Sequence, residues 1–315
     1  MRAVIQREWN GLEALELVDV EPPRPAPTEI LVQVAYAGVN PVDHYTAQGL
    51  AYNRMLSLPF RQGWDVAGVV TEIGYGVTRF RPGDRVFGMP WFPREAGAYA
   101  EYVTAPSRHF ARMPAELSYA EAAALPLAGL TAWQMLEAAQ VAPGQRVLVT
   151  AAAGGVGHLA VQIAKARGAH VIGTARAAKH EFLRQMGADE AVDYTTSQVS
   201  DVVRDADAVI QMFGGEPGLK ALECLRPDGI LVSAQGAWTP GLADRAAQLG
   251  VRAVTYLVEP DAEGLESLAD LVRRGQLRLH IANELPLQRA AEAHRLIATG
   301  RTTGKVVLRV ADLGE

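Results

Sequence analysis

The chain has 315 residues, 49% hydrophobic and 21% charged, with a formal net charge of -5. That balance belongs to an ordinary globular protein and speaks against disordered, collagen-like and coiled-coil classes. The net acidity argues against a nucleic-acid partner.

At roughly 150 residues per domain, two domains are expected. The single cysteine, Cys224, reads as a buried small hydrophobe; alone it makes neither an intrachain disulfide nor a four-cysteine zinc site. The first residues lack the apolar run of a signal peptide, and no apolar stretch reaches about 18 residues. A cytoplasmic protein that does not contact the membrane is expected.

The first third reads as short strands between turns. Glu29–Ala37, Asp65–Ile73 and Ala98–Thr104 carry the strand pattern; Pro and Gly clusters at 21–27 and 81–84 punctuate it. This suggests a small barrel-like β domain. Near Pro114 the composition changes to an Ala-rich helical run from Ser118, with Ser118 and Glu121 at capping-box spacing and Pro143-Gly144 as its stop.

Strands and helices then alternate. Strands are expected at 146–150, 170–173, 191–193, 208–210 and 229–232, with helices at 156–167 and 178–186 between them. Such alternation implies right-handed crossovers and a doubly wound parallel sheet. Beyond Pro260 come helices at 263–273 and 287–298 and a last strand at 305–310. This tail either extends the α/β domain or returns to the first one. Residues 300–305 superficially have the form of a P-loop, but they are one residue short and lead into Val306, so that reading fails.

The most informative segment is Val147–Gly157, where a strand enters a glycine turn and then a helix. The form is G-x-G-x-x-G with Ala152 in the first position, followed by Gly154 and Gly157. A small residue permits the tight turn, Gly154 admits a pyrophosphate to the backbone, and Gly157 lets helix and strand approach. Ala153, Gly154, Gly155, Val156 and Gly157 are therefore the candidate phosphate cradle.

The end of the next strand selects the dinucleotide. A site for NAD places an acid there to bind the ribose 2′-hydroxyl. Thr174 is instead followed by Arg176 and Lys179, which suit the 2′-phosphate of NADPH. The alternative, a solvated helix start, leaves basic groups opposing the helix dipole.

Further motifs run the length of the chain: Ala37-Gly38-Val39-Asn40-Pro41-Val42-Asp43, Gly63–Val70, Arg81–Val86, Leu130-Thr131-Ala132-Trp133, Ala151–Gly157 and Gly304–Leu308. In this order and spacing the chain resembles the medium-chain dehydrogenase/reductase superfamily, within it the zinc-free, zeta-crystallin-like quinone oxidoreductase branch. The resemblance implies an α/β protein with a GroES-like β-barrel catalytic domain at residues 1–116, to which 259–315 returns. It also implies a Rossmann-type doubly wound parallel-sheet domain at 117–258, with the active site in the cleft between the two domains.

Zinc-dependent relatives carry a cysteine ligand near Asn40 and a His-Glu pair where Trp64-Asp65 stands; no metal site is expected here. Without a Lewis acid, hydride transfer to an activated acceptor, a quinone or an α,β-unsaturated carbonyl, is favoured over alcohol oxidation. An enoyl-thioester reductase and a non-catalytic NADPH-binding protein are the alternatives.

The resemblance places Asn40 and Asp43 near the nicotinamide. Asn40 is read as an amide donor to substrate or ribose; Asp43 is either catalytic or a cap of its own turn. Tyr45 and Tyr52 are phenol candidates for the acceptor oxygen, or packing residues. Thr131 contacts the nicotinamide or bonds back to its own helix. The resemblance implies Tyr194 near the adenosine phosphate and Lys305 at the cofactor or the interdomain cleft; Met212-Phe213-Gly214, Ser233 and Gln235 are expected along the ligand edge of the sheet. The resemblance also implies a homodimer through a sheet edge, with Val251–Leu257 as the candidate strand.

Overall fold

The computed structural model describes residues 1–9 and 11–314. Its chain divides into two units: Met1–Leu130 with Glu259–Arg273 and Leu279–Glu315, and Thr131–Val258 with Arg274–Arg278.

In the first unit β1 (Arg2–Gln6), β2 (Leu15–Asp19), β3 (Glu29–Val39) and β4 (Phe60–Arg61) are followed by β5 (Asp65–Ile73), β6 (Arg85–Gly88), β7 (Tyr102–Pro106) and β8 (Phe110–Arg112). Helix α1 (Pro41–Ala47) follows β3, and α2 (Tyr119–Ala124) and α3 (Pro126–Ala138) follow β8. β2, β1 and β4 form a small antiparallel sheet.

The larger sheet is built on β3, which pairs antiparallel with β5 and β7. β3 does not alternate strictly between buried and open, because its register on β5 shifts between Leu31 and Val32 and between Val34 and Tyr36. Each such irregularity turns the side chains that follow it to the other face. Val32, Val34, Val66, Phe110, Val306 and Leu308 pack into this unit's core.

Two expectations for this region are corrected. Residues 98–101 are not part of the strand that ends near Pro106. Val4 N–H donates to the Tyr99 carbonyl and Glu101 N–H to that of Arg2, so the small sheet claims this stretch until the Glu101 carbonyl, which accepts Val34 N–H of β3, hands the chain to β7. The helical run from Ser118 is also two helices: Pro126 lacks an N–H and its ring excludes a continuous helix, so it becomes the first residue of α3. The Ser118–Glu121 capping box forms as expected.

The second unit carries β9 (Arg146–Val149), α4 (Gly157–Ala166), β10 (His170–Thr174), α5 (His180–Gln185), β11 (Glu190–Val192), α6 (Val199–Val202), β12 (Ala206–Gln211), α7 (Gly215–Lys220), β13 (Leu225–Ser233), α8 (Leu242–Leu249) and β14 (Arg252–Thr255). Its six strands are parallel, in the order β11-β10-β9-β12-β13-β14. Parallel strands bury both faces, which explains why Val147–Val149 and Ile230–Val232 read as unbroken apolar runs.

The tail completes the first unit. After α9 (Ala262–Arg273) come β15 (Ile281–Pro286), α10 (Ala290–Ala298) and β16 (Lys305–Arg309). β16 pairs antiparallel with β3, Val306 opposite Val39 and Leu308 opposite Ala37, and β15 pairs parallel with β16. Of the two fates the tail's pattern left open, it returns to the first unit. No helix among the described residues is long and apolar enough to cross a membrane.

Candidate active site

All strands of the second unit's sheet end on one edge because they run parallel. The strand order reverses between β9 and β12, the position at which open α/β sheets bind ligands. After β9 the chain turns tightly: Gly154 N–H donates to the Ala151 carbonyl at 2.8 Å and Ala152 N–H to that of Thr174 at 3.0 Å. A Cβ on residue 157 would meet the Ala151 oxygen at 2.2 Å, so only glycine allows α4 this close to the turn. A Cβ on residue 154 would meet only that same oxygen, at 3.2 Å. Gly154 thus leaves its outer side open.

Val156 precedes α4 without a side-chain cap, so its first-turn amides are not answered by a capping side chain. Ala153 is buried within the turn, and Gly155 and Val156 are half-buried. The helix start therefore has the form that suits an anion.

One strand over, the chain leaves β10 through Thr174 to Arg176 and Lys179. Arg176 Nε donates to the Tyr194 hydroxyl at 3.3 Å. The Lys179 ammonium is held below its ordinary pKa by burial and by the nearby Arg176 guanidinium. Two like charges held together favour an anion between them. The nearby carboxylate of Asp193 accepts from Ala177 N–H at 2.9 Å and from Thr195 N–H at 2.8 Å.

Beyond the switch point, Met212 N–H donates to Thr150 Oγ1 at 2.9 Å, tying the turn after β12 to the one after β9. Phe213 is exposed there. Ser233, buried at the end of β13, accepts from Gln235 N–H at 3.2 Å. Thr131 is buried on α3. The structure therefore gathers the turn after β9, the Arg176 turn, Met212–Gly214 and Ser233–Gln235 on one edge.

In the first unit a second polar constellation lies under the start of α1. The Asp43 carboxylate accepts the Asn40 N–H at 2.6 Å, closing the first turn of its own helix. Asn40 Nδ2 donates to Asp65 Oδ2 at 2.8 Å, and Asn40 Oδ1 accepts from the Lys305 ammonium. Lys305 Nζ also donates to the Val39 carbonyl at 3.1 Å and stands 3.8 Å from Asp65. The other Asp65 oxygen accepts Leu127 N–H at 2.7 Å, capping α3 from a distance. Asn40, Asp43, Asp65 and Lys305 are all buried.

Burial pushes the Asp65 carboxyl up and the Lys305 ammonium down, each opposed by the other's charge. Asp43 is pushed up to about 7, chiefly by burial. Tyr99 donates its hydroxyl proton to Asp43 at 3.1 Å, with His294 Nε2 3.3 Å away on the other side. Burial holds His294 neutral, at about 3.

Three further sequence candidates belong to the first unit. Tyr45 is exposed on α1. Tyr52 sits at φ 55°, its ring edge-on to Trp64 and Phe92. Lys305 lies beneath Asn40, turned inward and 3% exposed.

Sequence reasoning gave no role to Asp65, Tyr99 or His294. A signal was present for the first: Asp65 and Lys305 each open a strand at a buried position and are followed directly by apolar residues. Nothing local distinguishes Tyr99 or His294 from packing residues.

Residues 26–115 match the family described as alcohol dehydrogenase GroES-like domain, and residues 186–308 the family described as zinc-binding dehydrogenase. Across 314 residues, covering 95% of each chain, the sequence is 34% identical to a chloroplast envelope quinone oxidoreductase homolog of Arabidopsis thaliana. It is 34% identical over 322 residues to the 2-methylene-furan-3-one reductase of Solanum lycopersicum, covering 98% of this chain and 79% of the relative. The Escherichia coli quinone oxidoreductase, solved in complex with NADPH, is 28% identical with a TM-score of 0.89, covering 98% of this chain and 100% of that one. Likeness of this extent shows that the chain belongs to the medium-chain dehydrogenase/reductase superfamily, in its quinone oxidoreductase branch.

Proposed function

We propose that this chain is an NADPH-dependent oxidoreductase that reduces a quinone or an α,β-unsaturated carbonyl without zinc. The observation that carries the cofactor reading is the paired Arg176 and Lys179 beside the glycine turn, with the nearby Asp193 carboxylate turned to Ala177 and Thr195. Amides of Ala153–Gly157 hold the pyrophosphate. Arg176 and Lys179 hold the 2′-phosphate, with Thr174 and Tyr194 beside the adenosine. Met212, Phe213, Gly214, Ser233 and Gln235 border the nicotinamide ribose, and Thr131 the ring. Bound there, NADPH supplies the hydride.

On the acceptor side, Asn40 orients the reacting groups, and Tyr45 or Tyr52 donates a hydrogen bond to the acceptor oxygen, where negative charge develops. A flat conjugated acceptor needs only such modest polarisation. The Solanum lycopersicum relative, named for reduction of an enone, and the Escherichia coli quinone oxidoreductase favour these two acceptor classes.

Zinc fits the first unit's polar cluster poorly. Its groups are two carboxylates, Asp43 and Asp65, one amide and an ammonium that already supplies the positive charge beside Asp65, whereas zinc sites gather three or four thiolates, imidazoles or carboxylates. Among the described residues no group of three or more His, Cys, Asp or Glu side chains is placed to hold a metal ion.

The same reading includes a homodimer formed by pairing of β14, the edge strand of the six-stranded sheet, near the exposed Val254 and Leu257. Light scattering tests it, and a monomer mass rejects it.

Absorbance at the NADPH band, with benzoquinone, a naphthoquinone and a short enone as acceptors, NADH as control and a chelator present, tests the enzyme. Turnover with NADPH preferred and the chelator without effect is expected. Tight NADPH binding without oxidation by any acceptor would favour a binding protein instead. Activity lost to the chelator and restored by zinc would reject zinc independence.

A further inference from the structure

We infer that Lys305 and Asp65 are positioning residues for hydride transfer: together they lock the Asn40 side chain and the start of α1 into one orientation. This rests on the reductase reading above. Lys305 opens the last strand of the chain and Asp65 opens β5, 240 positions apart in sequence (305 − 65), yet both converge on Asn40. The ammonium donates to Asn40 Oδ1, and the carboxylate accepts from Asn40 Nδ2 at 2.8 Å. Only one rotamer of the amide satisfies both. Flipping it would set an NH2 against an ammonium and a carbonyl against a carboxylate.

An amide is planar, so fixing one Nδ2–H toward Asp65 fixes the direction of the second. That second donor is the one through which Asn40 would orient the acceptor. The Lys305 ammonium also holds the Val39 carbonyl, and Asp43 closes the next turn on the Asn40 N–H at 2.6 Å. The backbone on either side of Asn40 is therefore pinned as well.

The pair is a poor device for stability alone. Its chain neighbours Val66 and Val306, with Val39, belong to the unit's apolar core, where a well-packed hydrophobic pair serves as well as buried charges or better. What charges add is a defined polarity at both ends of one amide.

The test compares wild type with Lys305→Met/Asp65→Asn and with Lys305→Gln. The double variant removes both charges yet keeps a carbonyl for Leu127 N–H. Lys305→Gln keeps a neutral donor toward Asn40. Each is assayed for Tm, for NADPH affinity by fluorescence titration, and for kcat and KM with the better acceptor.

In the double variant kcat is expected to fall about 100-fold, the cost of misplacing a reacting group by about 1 Å. NADPH affinity should stay within about twofold of wild type, because the phosphate cradle is untouched. Lys305→Gln should fall between the two. Folded variants with wild-type kcat overturn the inference and leave the reductase reading standing. So does a Lys305→Gln kcat no better than that of the double variant. A wild type that binds NADPH yet reduces no acceptor overturns the reductase reading, and this inference with it.

Discussion

The carbonyl oxygen of Ala151 stands 2.2 Å from where a Cβ on residue 157 would lie, and 3.2 Å from one on residue 154. The two glycines therefore serve different ends. Gly157→Ala forces the start of α4 off the turn and is expected to cost stability and NADPH binding together. Gly154→Ala needs only a few tenths of an ångström of relief, so its Tm should stay close to wild type. Its methyl would stand where the pyrophosphate approaches, and NADPH Kd should rise ~10-fold or more. Thermal melts with and without NADPH separate the two.

Arg176→Ala and Lys179→Ala test cofactor choice. A charge-assisted hydrogen bond to phosphate is worth ~1.5–3 kcal/mol, so each should raise KM for NADPH about 10- to 100-fold. NADH lacks the 2′-phosphate, and its KM should hardly move. Equal losses for both cofactors would assign these residues a structural role.

Asp43 carries a pH signature. Its carboxyl is pushed up to about 7 in the folded chain, above an ordinary value near 4, mainly by burial. Between those values the folded state binds more protons than the unfolded one, so stability falls as pH rises. The contribution is fully present below about pH 4 and is lost by about pH 7, at up to ~1.4 kcal/mol per pH unit. Asp43→Asn keeps a carbonyl for the Asn40 N–H and removes this slope. Urea melts from pH 4 to 8 should show the wild type losing stability relative to the variant as pH rises; parallel curves would refute the shift.

Tyr45→Phe and Tyr52→Phe distinguish the two phenols. Tyr45 is exposed on a helix, whereas the Tyr52 ring packs edge-on to Trp64 and Phe92. Removing the hydroxyl that serves the acceptor should lower kcat about 100-fold, the scale for losing one oxyanion donor. The other variant should keep wild-type kcat. If both do, neither phenol serves the acceptor.

Ser118→Ala is a stability control away from the chemistry. Ser118 Oγ accepts Glu121 N–H at 3.3 Å, and Glu121 accepts Ser118 N–H at 3.0 Å. Losing the cap should cost ~1 kcal/mol in chemical denaturation with kcat unchanged.

The sequence by itself determined whatever local rules govern. Parallel strands of the second unit show as apolar runs because both faces are buried, and the glycine turn shows because position 157 admits only glycine beside the Ala151 carbonyl. The capping box and the basic turn at 176–179 were legible for the same reason: each acts within a few residues. Where an element ended was less so: the run from Ser118 breaks at Pro126, and residues 98–101 go to another sheet.

Only the tertiary structure decided the polar cluster of the first unit. A lone Asp opening β5 and a lone Lys opening β16 carry no mutual address in sequence. They meet because β16 returns to pair with β3, which sets both beside Asn40. The same return brings α10, and with it His294, to Tyr99, whose hydroxyl bonds Asp43. Charges inside a low-dielectric core interact strongly at contact, and those contacts exist only once distant strands have paired.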